Sequence, residues 1–178
     1  MTSADSTPQP MFERMKRAAM CDVDTYEEVE ADTTATGQAG AVVALVAVAQ
    51  GIGAAGSGVT GIVGGMVIAL LSWLIWSGVT YLVGDKLLGG TATWGELLRT
   101  LGFAQSPGVL GIFAILPVVG GLFTFAIPIW ILVTGIIAIR QALDFSTGKA
   151  VLTAILGWMA LVIPTAILAG LVASQATS

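Results

Sequence analysis

Three long runs without a charged residue constrain the fold of this chain more than any other feature. No Asp, Glu, Lys or Arg occurs in residues 37–84, 100–139 or 150–178. A bilayer core about 30 Å thick takes roughly 20 helical residues, so the runs have room for two, two and one membrane spans. Because lipid offers no partner for backbone hydrogen-bonding groups, we expect each span to be a helix.

The composition supports a membrane protein. Of the 178 residues, 56% are hydrophobic and only 10% are charged, and the mean hydropathy is +0.91. A soluble domain carries about 25% charged residues, because water must solvate its surface. We therefore predict an all-α integral membrane bundle of five transmembrane helices at residues 38–178. A cytoplasmic segment with short amphipathic helices precedes it at residues 1–37.

The sequence defines some of the five predicted spans better than others. They lie at about residues 38–55, 59–83, 107–139 (the third and fourth together) and 150–172. A break between the third and fourth is predicted at residues 117–121, where "PVVGG" combines a helix-breaking proline with two glycines. These two spans are short, and a re-entrant hairpin would also fit residues 107–139.

The positions of the basic residues indicate the orientation. Lys and Arg stay on the cytoplasmic side of short loops, and five spans place all 7 basic residues on one side. Four spans would place Arg140 and Lys149 opposite the others. We therefore expect a protein of the cell membrane, inner or plasma, with its N-terminus in the cytoplasm and its C-terminus outside.

The stretch "QGIGAAGSG" has the glycine spacing of a dinucleotide-binding loop, at Gly51, Gly53 and Gly56. Such a loop follows a buried strand and needs an acidic residue about 20 positions later for a ribose hydroxyl. The next acidic residue after Gly56 is Asp85, which is too late. Because glycine readily adopts the left-handed conformations that end helices, we interpret the stretch as a turn between two spans.

The N-terminal segment has the spacing of amphipathic helices. Apolar side chains recur at intervals of three and four residues, among them Phe12, Met15 and Tyr26. The first half is basic and the second acidic, an order that opposes the dipole of a single helix. Two short helices fit better, the second capped by Asp24 with Glu27 three residues later.

The charge of this segment limits its partners. Residues 1–37 carry three basic and eight acidic residues, and an acidic cytoplasmic face repels nucleic acid and anionic lipid. We expect no nucleic-acid binding, and a protein partner with a basic patch fits the acidic candidates Glu27, Glu28 and Glu30. Two alternatives are an interfacial helix on the membrane surface and a segment that only packs beneath the bundle.

The usual constellations for catalysis and metal binding are missing from the sequence. The chain has no His, which removes the commonest general base and metal ligand. Cys21 is the only cysteine, and the acidic cluster at residues 22–32 lacks the spacing of a calcium loop. We expect no enzymatic activity, no catalytic residue, no cofactor and no bound metal.

The predicted spans also lack the ionisable residues that line most transport pathways. Gln50 is the most polar residue of the spans, and its side-chain amide needs a hydrogen-bond partner in hydrocarbon. Gly61 and Gly65 are spaced for helix–helix contact within the chain or between chains. The helix breaks at Pro117 and Pro128 are the one feature typical of a transporter.

Three stretches resemble the prokaryotic branch of the Yip-one family, which are Ypt/Rab-interacting membrane proteins with five spans. They are "ERMKRAAMCDVDTYEEVEADTTATGQA", "TWGELLRTLGFAQSPGVLGI" and "IRQALDFSTGKAVLTAIL". The most telling elements are Gly102 and Phe103 followed by Pro107, similar to the family's Gly-Tyr…Pro stretch, and residues 146–150, similar to its Ser…Lys-Ala stretch. The resemblance implies a cytoplasmic N-terminus, five helices, no known catalytic residue, and a role in membrane organisation or protein association. In place of the Asp-Leu-Tyr-Gly-Pro element of eukaryotic relatives the chain has "DVDTYEEVE", so Rab binding is not implied.

These features predict a non-enzymatic scaffold or adaptor in the lipid bilayer, with a protein partner or a homo-oligomer. The alternatives are a small-solute transporter or channel, and an accessory subunit of a larger membrane complex. The interaction face would combine the N-terminal helices with the connection at residues 84–106. The candidate interaction residues are Phe12, Met15, Tyr26, Glu27, Glu28, Glu30, Gly61, Gly65, Gly102, Phe103 and Pro107.

Overall fold

The computed structural model describes residues 9–54 and 58–176, and every regular element within them is a helix. The elements are α1 (Met11–Ala19), α2 (Val23–Ala31), α3 (Ala35–Gly53), α4 (Gly58–Tyr81) with a π-helical extension (Leu82–Leu87), α5 (Trp94–Ala104), a 3-10 helix (Ser106–Ile115), α6 (Gly120–Ala142) and α7 (Thr147–Ala176). Among the described residues, three segments are long and apolar enough to cross a membrane. They are Ala35–Gly53, Gly58–Leu87 and Gly120–Ala142.

The first two long helices, α3 and α4, are antiparallel. Gly40, near the start of α3, contacts Trp73 of α4. Gly51, near the end of α3, contacts Ile62, close to the start of α4. Gly58 opens α4 with a φ of +57°, a left-handed conformation that favours glycine. The antiparallel packing agrees with the predicted reversal of the chain, but Gly51 and Gly53 belong to the last turn of α3, and residues 55–57 lie outside the described residues.

The third apolar path consists of α5 and the 3-10 helix, which run beside α3 in the same direction. Gly102 of α5 lies against Ala39, and a methyl group on Gly102 would sit 2.6 Å from the Ala39 Cβ. Gly111 of the 3-10 helix lies against Gly53, at the other end of α3. Only glycine lets two backbones approach so closely, so these glycines are needed where the helices meet.

The start of this third path differs from the sequence expectation. Residues 84–106 were expected to be a polar connection, whereas Trp94–Ala104 forms α5, and the residues after Ser106 form a 3-10 helix. The cause is local. Thr93 and Glu96 form a capping box that starts α5, with the Thr93 N–H donating to the Glu96 carboxylate at 2.8 Å. Pro107 then lacks the N–H that a continuing α-helix needs.

The break before α6 lies where the sequence predicted it. The 3-10 helix ends at Ile115 and α6 begins at Gly120, with residues 117–119 in a turn. From this turn α6 runs back along the third path. Its Thr134 hydroxyl donates a hydrogen bond to the Ala104 carbonyl of α5, at 2.7 Å.

The last helix, α7, runs antiparallel to α4. Near the start of α7, Lys149 Nζ donates to the Leu88 carbonyl, just beyond the π-helical extension, at 3.1 Å. Further along, Gly157 faces the Thr80 hydroxyl near the end of α4. The apolar elements therefore alternate in direction along the chain.

The N-terminal segment forms two short helices, and the second is capped differently from the prediction. The carboxylate of Asp22, not that of Asp24, caps α2 by accepting a hydrogen bond from the Asp24 N–H at 3.1 Å. Asp22 immediately precedes the first helical residue, which is where a capping side chain reaches the free N–H groups. Glu27 is bonded instead to Gln141 of α6, at 3.0 Å.

Candidate functional site

Arg14 joins the two N-terminal helices to the start of α3. Arg14 is only 1% exposed. Its Nε lies 3.0 Å from the Glu28 carboxylate and its Nη2 lies 2.8 Å from the Asp32 carboxylate. Its Nη1 donates to the Gln38 amide oxygen at 3.1 Å. A buried guanidinium is stable only when its donors are paired, so these acceptors hold α1 against α2 and α3.

Two carboxylates beside the arginines of α1, those of Asp22 and Asp32, remain charged at neutral pH. Arg17 Nε lies 2.7 Å from Asp22, and this hydrogen bond lowers the pKa of the Asp22 carboxyl. Hydrogen bonds from Thr34 and then from Arg14 lower the pKa of Asp32. Because both carboxylates stay ionised, the pair of Asp22 with Arg17 and that of Asp32 with Arg14 persist at neutral pH.

Arg99 fastens α5 to the C-terminal end of α2. Its side chain is buried, its Nε donates to the Val29 carbonyl at 2.9 Å, and its guanidinium also donates to the Glu30 carbonyl. The last carbonyls of a helix lack intrahelical donors and carry partial negative charge, so a cation is favourable there. Trp130 of α6 adds a further contact, because its indole N–H donates to the Ala19 carbonyl at 2.7 Å. The N-terminal helices are therefore part of the folded bundle.

Carboxylates from separate parts of the chain line a cavity of about 440 Å³ on this face, which we call the acidic cavity. Glu27 and Glu30 come from α2, Glu96 from α5, and Asp144 from the turn after α6. The rest of the wall consists of Ala31, Arg140, Gln141 and Phe145. Four carboxylates against one guanidinium make the cavity acidic.

Three of these carboxylates have hydrogen-bond donors within the chain. Glu27 is bonded to α6, Glu96 belongs to the capping box of α5, and Asp144 accepts from the Thr91 hydroxyl at 2.8 Å. The Glu30 carboxylate has no such donor among the described residues. It is therefore the acidic group most available to an incoming cation.

The surroundings of Glu30 favour its protonated form. Burial, together with repulsion from Glu96, Asp144 and Glu27, raises its pKa to about 7, and Arg99 offsets this only in part. Glu30 is thus partly protonated at neutral pH, and a cation in the cavity would stabilise its charged form. In the part of the chain that the structure describes, no cluster of His, Cys, Asp and Glu could hold a metal ion.

The structure divides the predicted interaction residues into an outer and a buried group. Phe12, Glu27, Gly61 and Gly65 are exposed, whereas Glu28 and Glu30 are half-buried. Met15, Tyr26, Gly102, Phe103 and Pro107 are buried. The buried residues hold helices of the chain together, so the exposed and half-buried residues are the ones that a partner could reach. Tyr26, for example, donates its hydroxyl to the Ala18 carbonyl at 2.9 Å.

Sequence reasoning missed Arg14 and Arg99, which position the helices around the acidic cavity. One signal was available. Arg14 lies three residues after Met11 and four before Ala18, so it falls on the apolar face of its helix. Arg99 likewise lies among apolar residues of α5. A charged residue on an apolar face indicates a buried pair.

Comparison with known proteins identifies the family of the chain. The Yip1 domain family model matches residues 24–168, a range that includes the acidic cavity and the three membrane-length helices. No curated protein and no solved structure matches the chain. The matched range covers most of the chain and agrees with the resemblance of its three sequence stretches. The chain belongs to the Yip1 domain family and is a membrane protein built of apolar helices.

Proposed function

We propose that the protein is a non-enzymatic scaffold or adaptor in a cell membrane, and that its acidic cavity binds a basic segment of a protein partner. Family membership supports the membrane location. The observation that carries the proposal is that four carboxylates from α2, α5 and the turn after α6 converge on one cavity. Acidic residues that only contact water need not converge on one cavity from separate helices. A cluster of like charges, in contrast, selects partners of complementary charge.

The cavity is held in shape by contacts that do not involve a partner. Arg14 fixes α1 to α2, and Arg99 fixes α2 to α5, so Glu30 and Glu96 keep their relative positions. Preorganisation of this kind lowers the entropic cost of binding. A Lys or Arg side chain of the partner would pair with Glu30 and stabilise its ionised form.

We propose five membrane crossings, with the acidic cavity on the cytoplasmic side. Three membrane-length helices and the alternating directions of the elements support this count. The third crossing is the path of α5 and the 3-10 helix, and the fifth is α7. Basic residues of α1, of α5 and of the first turn of α7 lie at the same end of the bundle as the cavity, which supports a cytoplasmic assignment. The N-terminus is then cytoplasmic and the C-terminus outside, in the inner or plasma membrane.

A matched pair of charge reversals on α2 tests the binding proposal. Glu27→Lys changes the cavity, whereas Asp24→Lys makes the same charge change at an exposed position that does not line it. The measurement is the affinity of the purified protein for a fluorescent peptide rich in Lys and Arg, by anisotropy. We expect Glu27→Lys to weaken binding about tenfold and Asp24→Lys to change it less than about twofold.

The outcome that contradicts the proposal is an equal effect of the two variants, because that would indicate attraction to net charge alone. Cross-linking in intact cells, followed by purification of the wild type and of both variants, then identifies the natural partner. A partner of the acidic cavity is lost from Glu27→Lys and retained by Asp24→Lys.

A further inference from the structure

We propose that residues 20–23, the turn between α1 and α2 with the first residue of α2, are inserted into the bilayer. We call these residues the lipid turn. They lie in the leaflet on the side of the acidic cavity, at the boundary between lipid headgroups and acyl chains. Three observations carry this proposal, namely the depth of the turn against α6, the exposure of its apolar side chains, and the pairing of its charge. None of them depends on what the acidic cavity binds.

Trp130 of α6 fixes the depth of the lipid turn. Its indole N–H donates a hydrogen bond at 2.7 Å to the carbonyl of Ala19, the residue before the turn. Trp130 lies close to the middle of α6, whose 23 residues make it one of the helices long and apolar enough to cross a membrane. A helix that crosses a bilayer core about 30 Å thick carries its middle residues inside that core. The lipid turn is therefore at a level that the membrane occupies.

Contacts between α3, α5 and α6 define this level more closely. Ala39 begins the apolar part of α3, after a first turn that contains Thr and Gln, and Gly102 of α5 lies against it. Two residues further along α5, the Ala104 carbonyl accepts a hydrogen bond from Thr134 of α6. Thr134 therefore lies near the level at which the bundle enters lipid, and Trp130 lies one helical turn, about 6 Å, deeper. Interfacial segments bury their apolar face to a similar depth, about 5–10 Å.

The lipid turn exposes apolar side chains at this level. Met20 is 61% exposed and Val23 is 38% exposed. Ile129 and Val133, which precede and follow Trp130 along α6, are exposed as well. The surface that α6 presents to lipid thus continues onto the turn. Apolar surface at this level is favourable against acyl chains and unfavourable against water, so the occupant is lipid of the same membrane.

The charges near the turn allow insertion as far as the headgroup boundary. The Asp22 carboxylate, within the turn, is paired with Arg17 at 2.7 Å, so the two charges offset each other. Asp24, the next residue after the turn, is exposed. A carboxylate is costly at the centre of a bilayer, whereas at the boundary it remains in contact with water and headgroups. The turn therefore lies in the outer part of the leaflet.

Insertion of the turn would also set the height of the acidic cavity above the membrane. Glu27, which lines the cavity, is bonded to Gln141 of α6. Gln141 lies about 16 Å from Trp130 along the helix. One end of the N-terminal helices is then held in lipid, while the cavity opens into water close to the headgroups.

Nitroxide labels on single cysteines test the insertion. Cys21 is the only cysteine of the chain, and Cys21→Gly removes it at a position where the φ of 63° suits glycine. In this background, Met20→Cys carries a label in the lipid turn. Ala31→Cys is the control, because Ala31 is exposed at the other end of α2 and lines the acidic cavity. The measurement is the collision rate of each label with oxygen, which concentrates in acyl chains, and with a water-soluble nickel chelate, for the full chain in phosphatidylcholine nanodiscs.

We expect the ratio of oxygen to nickel collisions to be at least about fivefold higher at Met20→Cys than at Ala31→Cys. Equal ratios would place the turn in water and would overturn the proposal. Low collision rates with both reagents would overturn it as well, because a protein surface, such as a second copy of the chain, would then cover the turn. Val23→Cys supplies an independent label in the turn and should give the same result as Met20→Cys.

Quenching by brominated lipids tests the depth of the turn. A bimane fluorophore on Met20→Cys is placed in phosphatidylcholine that carries bromine either near the carboxyl end or near the methyl end of its acyl chains. We expect the bromines near the carboxyl end to quench about twofold more strongly, because interfacial segments lie close to the headgroups. Stronger quenching by the deep bromines would place the turn in the hydrocarbon core, and no quenching by either lipid would place it in water. Either result would overturn the proposal.

Discussion

The Arg14 guanidinium lies 2.8 Å from the Asp32 carboxylate, and this ion pair joins the first N-terminal helix to the residue that ends the second. Arg14 is almost fully buried, while Asp32 keeps about a fifth of its side-chain surface in water. The acidic N-terminal segment is consequently a folded cap on the bundle. Its surface charges are fixed in position relative to α5 and α6, which is a condition for selective binding.

Glu28 belongs to this joint rather than to a free surface. Its carboxylate lies 2.9 Å from Arg14 and 3.3 Å from Arg17. Reversal of its charge would place a cation beside two arginines. Glu28 is therefore unsuitable for testing partner binding, and the charge reversal is made at Glu27 instead.

The joint predicts a large loss of stability for Arg14→Ala. This change leaves Glu28 and Asp32 without their cation, and we expect the free energy of unfolding to fall by about 3 kcal/mol, the lower end for a broken buried pair, since both carboxylates are partly solvated. The measurement is unfolding of the purified protein in mild detergent. Lys16→Ala is the control, because its ion pair with Glu13 is exposed and should contribute less than about 1 kcal/mol. Equal effects of the two changes would contradict the structural role of Arg14.

The close contact between α3 and α5 predicts a steric effect of Gly102→Ala. The added methyl group would lie 2.6 Å from the Ala39 Cβ, so the helices must separate, at a cost of about 1–3 kcal/mol. Gly37→Ala, on α3, is the control, because its methyl group meets no atom within 4 Å and alanine favours helix. We expect a lower unfolding temperature for Gly102→Ala only. A stable Gly102→Ala protein would mean that α3 and α5 are further apart.

The charge-free runs predicted α3, α4 and α6 because apolar length is a property of the sequence alone. The runs did not predict α5, since Glu96 and Arg99 interrupt it and its burial depends on contacts with other helices. Arg14 and Arg17 illustrate the same limit within one helix. They lie three residues apart, yet only Arg14 is buried. The difference arises from the positions of α2 and α3, which local sequence does not specify.

The raised pKa of Glu30 predicts a pH dependence of stability. The ordinary pKa of the carboxyl is 4.5, and in the folded protein it is about 7. Between these pH values the folded state binds more protons than the unfolded state, so the free energy of unfolding falls as the pH rises. Glu30→Gln removes this contribution and should gain stability relative to the wild type from about pH 4.5 to 7. The measurement is unfolding across this range with Glu13→Gln as control, and parallel curves for wild type and Glu30→Gln would contradict it.

The alternating directions of the helices predict the side on which the chain ends. With five crossings and a cytoplasmic acidic cavity, a reporter fused to the C-terminus should be active only outside the cytoplasm. A reporter inserted at Gly89, in the connection before α5, should be active only in the cytoplasm. Both reporters on one side would exclude five crossings and would favour a re-entrant arrangement of the 3-10 helix and α6.

A comparison of Gln50→Leu with Glu27→Lys distinguishes a scaffold from a solute transporter. Gln50 lines three separate cavities within the bundle, and the broken third path beside it is the feature most typical of a transporter. If the protein moves a small solute through these cavities, Gln50→Leu should abolish uptake into reconstituted vesicles and Glu27→Lys should not. If the protein is a scaffold, Glu27→Lys should release the partner while both variants stay folded. Vesicles with wild-type protein should then take up no more solute than empty vesicles. We expect the second result, because the described spans hold no ionisable side chain at depth, while four carboxylates line the acidic cavity. Uptake that depends on Gln50, with partner binding unaffected by Glu27→Lys, would exclude the scaffold.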